Sequence, residues 1–170
     1  GPQLGAALGR IEVHRVDPAA QQLDIRETLA PEQLALTAPG TFGGVEETFA
    51  HLAANEEGYL RELGGVGVTG ELRATIFDGE APRTLASART VLAKTADAWR
   101  QIVRDWPENA VKDFPWQGNV ERLPVSVFVG QAINHGTEHR AHIRAALSSN
   151  GVEPPAIDFW AWSEATSPGG

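Results

Sequence analysis

The stretch PVSVFVGQAINHGTEHRAHIRAALSS, Pro124 to Ser149, decides how this chain folds. Proline heads it, where a ring-fixed φ suits a helix start and the missing N–H costs nothing. Asn150-Gly151 follows it, a pair that ends helices in a left-handed turn. Each residue of a helix turns the chain by about 100°. Phe128, Ala132, His135, His139 and Ala146 therefore share one stripe, and His142 falls nearly on it. That stripe is the apolar one, so the histidines are expected to point into the protein and not into water.

Three further amphipathic stretches lie upstream, separated by glycine and proline. After Pro82, the residues Leu85, Ala88, Leu92, Ala96, Trp99, Val103 and Trp106 recur at the three-and-four spacing of a helix face, and Pro107 stops the pattern. Before it, a helix is predicted from near Gly44 to about Leu63, ended by Gly64-Gly65. Glu46 and Glu47 lie in its first turn, where the helix dipole favours acids, and Val45, Leu52, Tyr59 and Leu63 line one side. The earliest stretch runs from Pro18 to Leu29 with Leu23, Ile25 and Leu29. Pro31-Glu32-Gln33-Leu34 then reads as a short helical turn that Ala38-Pro39-Gly40 breaks. Glu108 to Leu123 is irregular, with room for a short hairpin. Ala156 to Glu164 carries Ile157, Phe159, Trp160 and Trp162 and is expected to pack back on the helices. Long helices without sustained strand alternation predict an all-α fold, an antiparallel four-helix bundle. Residues 1–170 are expected to form a single domain, Gly1-Pro2 having the form of a scar left by tag cleavage.

The bulk properties exclude several roles. Fourteen basic residues against 22 acidic ones leave a net charge of −8, and no basic cluster is present to neutralise phosphates, so no nucleic-acid partner is expected. No apolar run reaches the roughly 20 residues that span a bilayer. The N-terminus shows no basic-then-apolar secretory pattern. There is no Cys, which removes disulfides, thiolate ligands and a thiol nucleophile belonging to the protein. These features accord with a cytoplasmic protein.

Chemistry is concentrated in the histidines. The chain has five, and His135, His139 and His142 sit in the last long helix. Residues 135 and 139 are one turn apart, the spacing at which two imidazoles share a metal ion. Buried imidazoles bonded to carbonyls or to one another are the plainer alternative. Several on one inward face, however, leave many ring nitrogens to satisfy, each at a cost of about 1–3 kcal/mol if orphaned. A divalent ion satisfies them jointly. His51, midway along the second helix among Thr48, Leu52 and Asn55, is the candidate third ligand, and three imidazoles leave a coordination position open. His142 is an alternative fourth ligand or a packing residue, and Glu138 an alternative ligand or a solvated acid. Asn55 or Glu56 is a candidate to orient His51. His14 lies in an irregular segment and is set aside.

The stretch Asn134-His135-Gly136-Thr137-Glu138-His139-Arg140-Ala141-His142-Ile143, with Leu147, Gly151, Pro154-Pro155 and Asp158 after it, resembles the signature of the DinB family of DinB/YfiT-like metalloenzymes. So does the stretch from Gly40 through Phe42 and His51 to Glu56. The resemblance covers about Ala30 to Asp158. It implies an up-down-down-up bundle with one long crossover between the second and third helices, often dimeric. It also implies a metal, zinc or nickel, held by His51, His135 and His139. Branches of the family use low-molecular-weight thiols: bacillithiol transferases, mycothiol-dependent maleylpyruvate isomerases and glutathione transferase-like members. One departure is Pro18, which falls where the family's first helix is usually unbroken.

The expected activity is thus metal-dependent S-transfer from a thiol cosubstrate to a small-molecule electrophile. Metal-assisted hydrolysis, with Glu138 or His142 as general base, is the alternative. A bundle that only binds a metal or small ligand is a third reading. Arg140 and Arg144 are read either as anchors for an anionic thiol or as interhelix partners. The five Trp are assigned to core and dimer interface, with Trp160 or Trp162 at a pocket mouth.

Overall fold

A computed structural model describes residues 29–64, 76, 79, 81–105 and 109–154. Three helices carry these residues: α1 (Val45–Glu62), α2 (Leu85–Asp105) and α3 (Val125–Ser149). A 3-10 turn, Pro31–Ala35, precedes them, and two short strands, β1 (Val111–Trp116) and β2 (Asn119–Pro124), lie between α2 and α3. The proposed first helix, His14 and the aromatic segment from Ala156 fall outside the described residues.

The start of α2 is built from side chains the sequence supplies. At α2, the Ser87 N–H donates to Thr84 Oγ1 (3.2 Å) while the Thr84 N–H donates to Ser87 Oγ (3.1 Å), a reciprocal cap in which serine takes the usual place of glutamate. The Leu85 N–H donates to Glu46 Oε1 of α1 at 2.9 Å, putting a carboxylate at the positive end of α2. At the end of α3, Gly151 has φ +74°. The Gly151 N–H donates to the Ser148 carbonyl (3.1 Å) and the Val152 N–H to that of Leu147 (3.0 Å), a Schellman ending. Val152 then packs against the cluster that holds Leu147.

The core gives the helix directions. Val45 and Phe49, early in α1, pack with Ile143, Ala146 and Leu147, late in α3; Leu60 and Leu63, at the other end, pack with Val125 and Phe128. α1 and α3 are therefore antiparallel. Along α2 the order is the reverse: Leu85 joins Val45, Ala88 to Leu92 join Ala53 and Ala54, and Ile102 joins Leu60. α1 and α2 run parallel, which requires a long connection between them. Val103, placed in the α2 stripe by its spacing, is instead 37% exposed.

The short hairpin for which the sequence left room between α2 and α3 is present, so the described residues are mostly helical and not all-α. β1 and β2 pair antiparallel with Trp116 opposite Asn119, joined by Gln117 (φ +49°) and Gly118 (φ +83°). Two positive φ angles make the primed turn that matches strand twist, and glycine takes the second at no steric cost. Pro115 is tolerated because the pair next to such a closing pair makes no ladder bond. Phe114 meets the Phe128 ring edge-on at 5.3 Å, and Lys112 Nζ pairs with Glu62 Oε2 at 3.2 Å, so the hairpin is tied to the end of the helices. No described helix is long and apolar enough to cross a membrane.

Candidate metal centre

His51 on α1 and His135 and His139 on α3 come together because the two helices run antiparallel with residue 51 level with residues 135–139. His139 Nε2 lies 3.0 Å from His135 Nε2, and His135 Nε2 lies 3.3 Å from His51 Nε2. One nitrogen of each ring lies within 4.8 Å of the others. A tetrahedral ion with metal–nitrogen bonds of ~2.0–2.1 Å separates its ligand nitrogens by about 3.3–3.4 Å, so the cluster has nearly the spacing an ion needs. His139 is buried, 6% exposed, whereas His51, His135 and His142 are half-buried and reach the edge of the core.

The second nitrogens stand apart from the cluster, and it is the converging ones that call for an ion. His135 Nδ1 and His139 Nδ1 are buried with no hydrogen-bond partner. Two imidazoles sharing one proton satisfy a pair of nitrogens, and the third Nε2, that of His51, is left to the Asn55 amide, whose Nδ2 lies 3.2 Å away. A single cation accepts lone pairs from all three. Electrostatics keep the rings ready for it, since only a neutral imidazole binds metal. Burial, with His135, His51 and His142 adding repulsion, pushes His139 down to about 4. Burial lowers His51 too, His135 and the Arg83 guanidinium adding to it against an opposing Glu47. His135 is lowered by burial, with Glu138 opposing.

The other sequence candidates separate clearly. His142 stands outside the ligand group; its ring meets that of His139 edge-on at 5.3 Å, and its Nδ1 is buried without a partner. Glu138 is exposed and acts on His135 only through its charge. Asn55, and not Glu56, touches His51: its Nδ2 donates to the His51 carbonyl at 2.8 Å and lies 3.2 Å from Nε2 and 3.4 Å from Nδ1. Glu56 couples instead to Arg140, and burial, against that guanidinium, pushes its carboxyl up to about 7. Arg140 lies back along α3 over Gly136, where a Cβ would meet its Nη1 at 3.0 Å, and its Nη2 donates to Thr137 Oγ1 at 3.1 Å. This is the interhelix reading of Arg140. Arg144 is exposed.

Two contacts escaped the sequence. Phe42 stacks on His51, ring centres 4.0 Å apart and planes 26° apart, and meets His139 edge-on at 5.3 Å. Tyr59, read only as packing, meets His135 edge-on at 6.0 Å. Phe42 sits in a loop, where no periodicity marks a residue's direction; its only signal was Pro39-Gly40, which announces the turn before it.

Comparison with known proteins bears on the family and the fold. The model of the DinB family matches residues 14–169. The crystal structure of a DinB-like protein from Bacillus cereus ATCC 10987 aligns with a TM-score of 0.55 at 19% identity, covering 83% of this chain and 91% of that one. At that identity the likeness speaks for the fold alone. Among curated proteins nothing matches.

Proposed function

Because the chain belongs to the DinB family, we propose that His51, His135 and His139 hold one divalent ion, zinc or nickel, and that the protein is a thiol S-transferase. The observation that carries the reading is the meeting of three Nε2 atoms from two helices, with neighbouring separations of 3.0 and 3.3 Å. Three protein ligands and an open position are the pattern of catalytic rather than structural sites. When bound, such an ion would supply Lewis-acid activation of a thiol or of water. The chain's own part is to hold three imidazoles neutral and converged, and to wall the site with Phe42 and Tyr59. Having no Cys, the protein takes its thiol as a low-molecular-weight cosubstrate. In the reaction a sulfur–carbon bond forms at the electrophile, its leaving group departs with the bonding pair, and the thiol proton passes to solvent. The same reading takes the chain as an up-down-down-up four-helix bundle, one domain and a cytoplasmic homodimer.

His142 favours a second reading, metal-assisted hydrolysis with this residue as general base, because its ring meets that of His139 edge-on at 5.3 Å and its Nδ1 has no hydrogen-bond partner. Elemental analysis of protein purified without chelator or nickel resin, against His135→Ala, tests the metal; equal metal content in the two sinks the site. Turnover of 1-chloro-2,4-dinitrobenzene by metal-loaded protein with a panel of thiols then tests transfer. No rate above the metal-free control counts against it, while thiol-independent ester hydrolysis favours the second reading.

A further inference from the structure

Metal-binding histidines are normally held by their second nitrogen, whose N–H donates to a carboxylate or carbonyl and so sets the ring plane. Here that support is missing. His135 Nδ1 and His139 Nδ1 have no partner. At His51 the neighbour is the Asn55 amide nitrogen, which sits beside the ring edge, 3.4 Å from Nδ1 and 3.2 Å from Nε2. That amide is committed to the His51 carbonyl at 2.8 Å, so it presents N–H to the ring and not oxygen. With an ion on Nε2, His51 Nδ1 carries a proton, and a donor then faces a donor.

What does fix the rings is aromatic packing. Phe42 covers the face of His51 at 4.0 Å and sets an edge contact on His139, Tyr59 sets one on His135, and His142 a further one on His139. Phe42 is itself presented by a rigid turn. Ala38-Pro39-Gly40-Thr41 closes with the Thr41 N–H donating to the Ala38 carbonyl at 3.1 Å, and Gly40 has φ +82°, as a type II turn requires. Thr41 Oγ1 donates back to the Ala38 carbonyl (2.8 Å) and accepts from the Ala38 N–H (3.2 Å), bracing the turn from inside. Yet Phe42 is 45% exposed, so burying it in the core does not explain its place.

We propose that Phe42 is a positioning residue for the metal centre: its ring, held over His51 by the braced Ala38–Thr41 turn, sets the imidazole plane that a hydrogen-bonded neighbour sets elsewhere. The inference rests on the metal reading above and adds to it how the ligands are oriented.

The test compares the parent with Phe42→Leu, which keeps apolar bulk without a flat face, and Phe42→Tyr, which keeps the ring. Zinc affinity is read by competition with a chromogenic chelator, ligand geometry by the visible absorption of the cobalt(II) form, and folding by the metal-free circular dichroism melt. Losing a group that orients a ligand typically weakens metal binding about 10- to 100-fold. That loss is expected in Phe42→Leu, with an altered cobalt spectrum and an unchanged metal-free melt, and recovery is expected in Phe42→Tyr. Parent-like zinc affinity and cobalt spectrum in Phe42→Leu overturn the positioning role alone. So does a Tyr variant as weak as the Leu variant, or a Leu variant whose metal-free helicity collapses. A parent that takes up no zinc overturns the metal reading, and this role with it.

Discussion

His139 concentrates the physical demands of this site in one side chain. It is the most enclosed of the three converging imidazoles, and its folded pKa of about 4 lies well below the ordinary 6.5. Between those values the unfolded chain binds a proton that the folded one refuses, so the metal-free protein loses stability as pH falls from about 6.5 towards 4. The urea midpoint of metal-free protein is expected to drop between pH 7 and pH 5, and to drop less in His139→Gln. Equal drops would clear His139 as the source. The identity of this residue and its spacing from His135 were plain in the sequence, as was His51. Its depth was not, because enclosure depends on what α1 and the Phe42 loop lay over it.

Among the elements, α2 shows how much of a helix start is written locally. Thr84 and Ser87 cap each other within four residues, while Glu46 arrives from α1. Thr84→Ala is expected to cost about 1 kcal/mol, the usual worth of such a cap. Urea unfolding reads it, and an unchanged midpoint would mean that Glu46 alone suffices. The hairpin is the opposite case. Its two strands are six residues each, Pro115 interrupts one, and its outer face is exposed, Val120 by 70%. Only Phe114 and Leu123 reach the core, too few apolar residues for a period of two to stand out. The α2 stripe was legible because helical spacing repeats over 21 residues, although it carried Val103 one residue too far round.

Across the whole molecule, the ion would join α1 to α3 at mid-length, away from both end clusters. An ion that binds only the folded state stabilises it, by about 2.7 kcal/mol at a hundred times its dissociation constant. Zinc is therefore expected to raise the unfolding temperature, a chelator to reverse the rise, and His51→Ala or His135→Ala to abolish it. A rise of the same size in those variants would place the ion elsewhere. The antiparallel pairing of α1 with α3 makes this linkage long-range, since His51 and His135 are 84 residues apart.

Local chemistry written along the chain was enough for the helices, for the pairing of His135 with His139 and for the nomination of His51. Helical period, caps and turn residues act over a few neighbours, and those neighbours are on the page. Only the tertiary structure decided that Asn55 rather than Glu56 meets His51, that Arg140 comes near enough to Glu56 for their charges to couple, and that Phe42 lies on the ligand ring. Each of those choices is made between segments whose distance in space no local pattern encodes, by whichever packing leaves the fewest buried polar atoms unanswered.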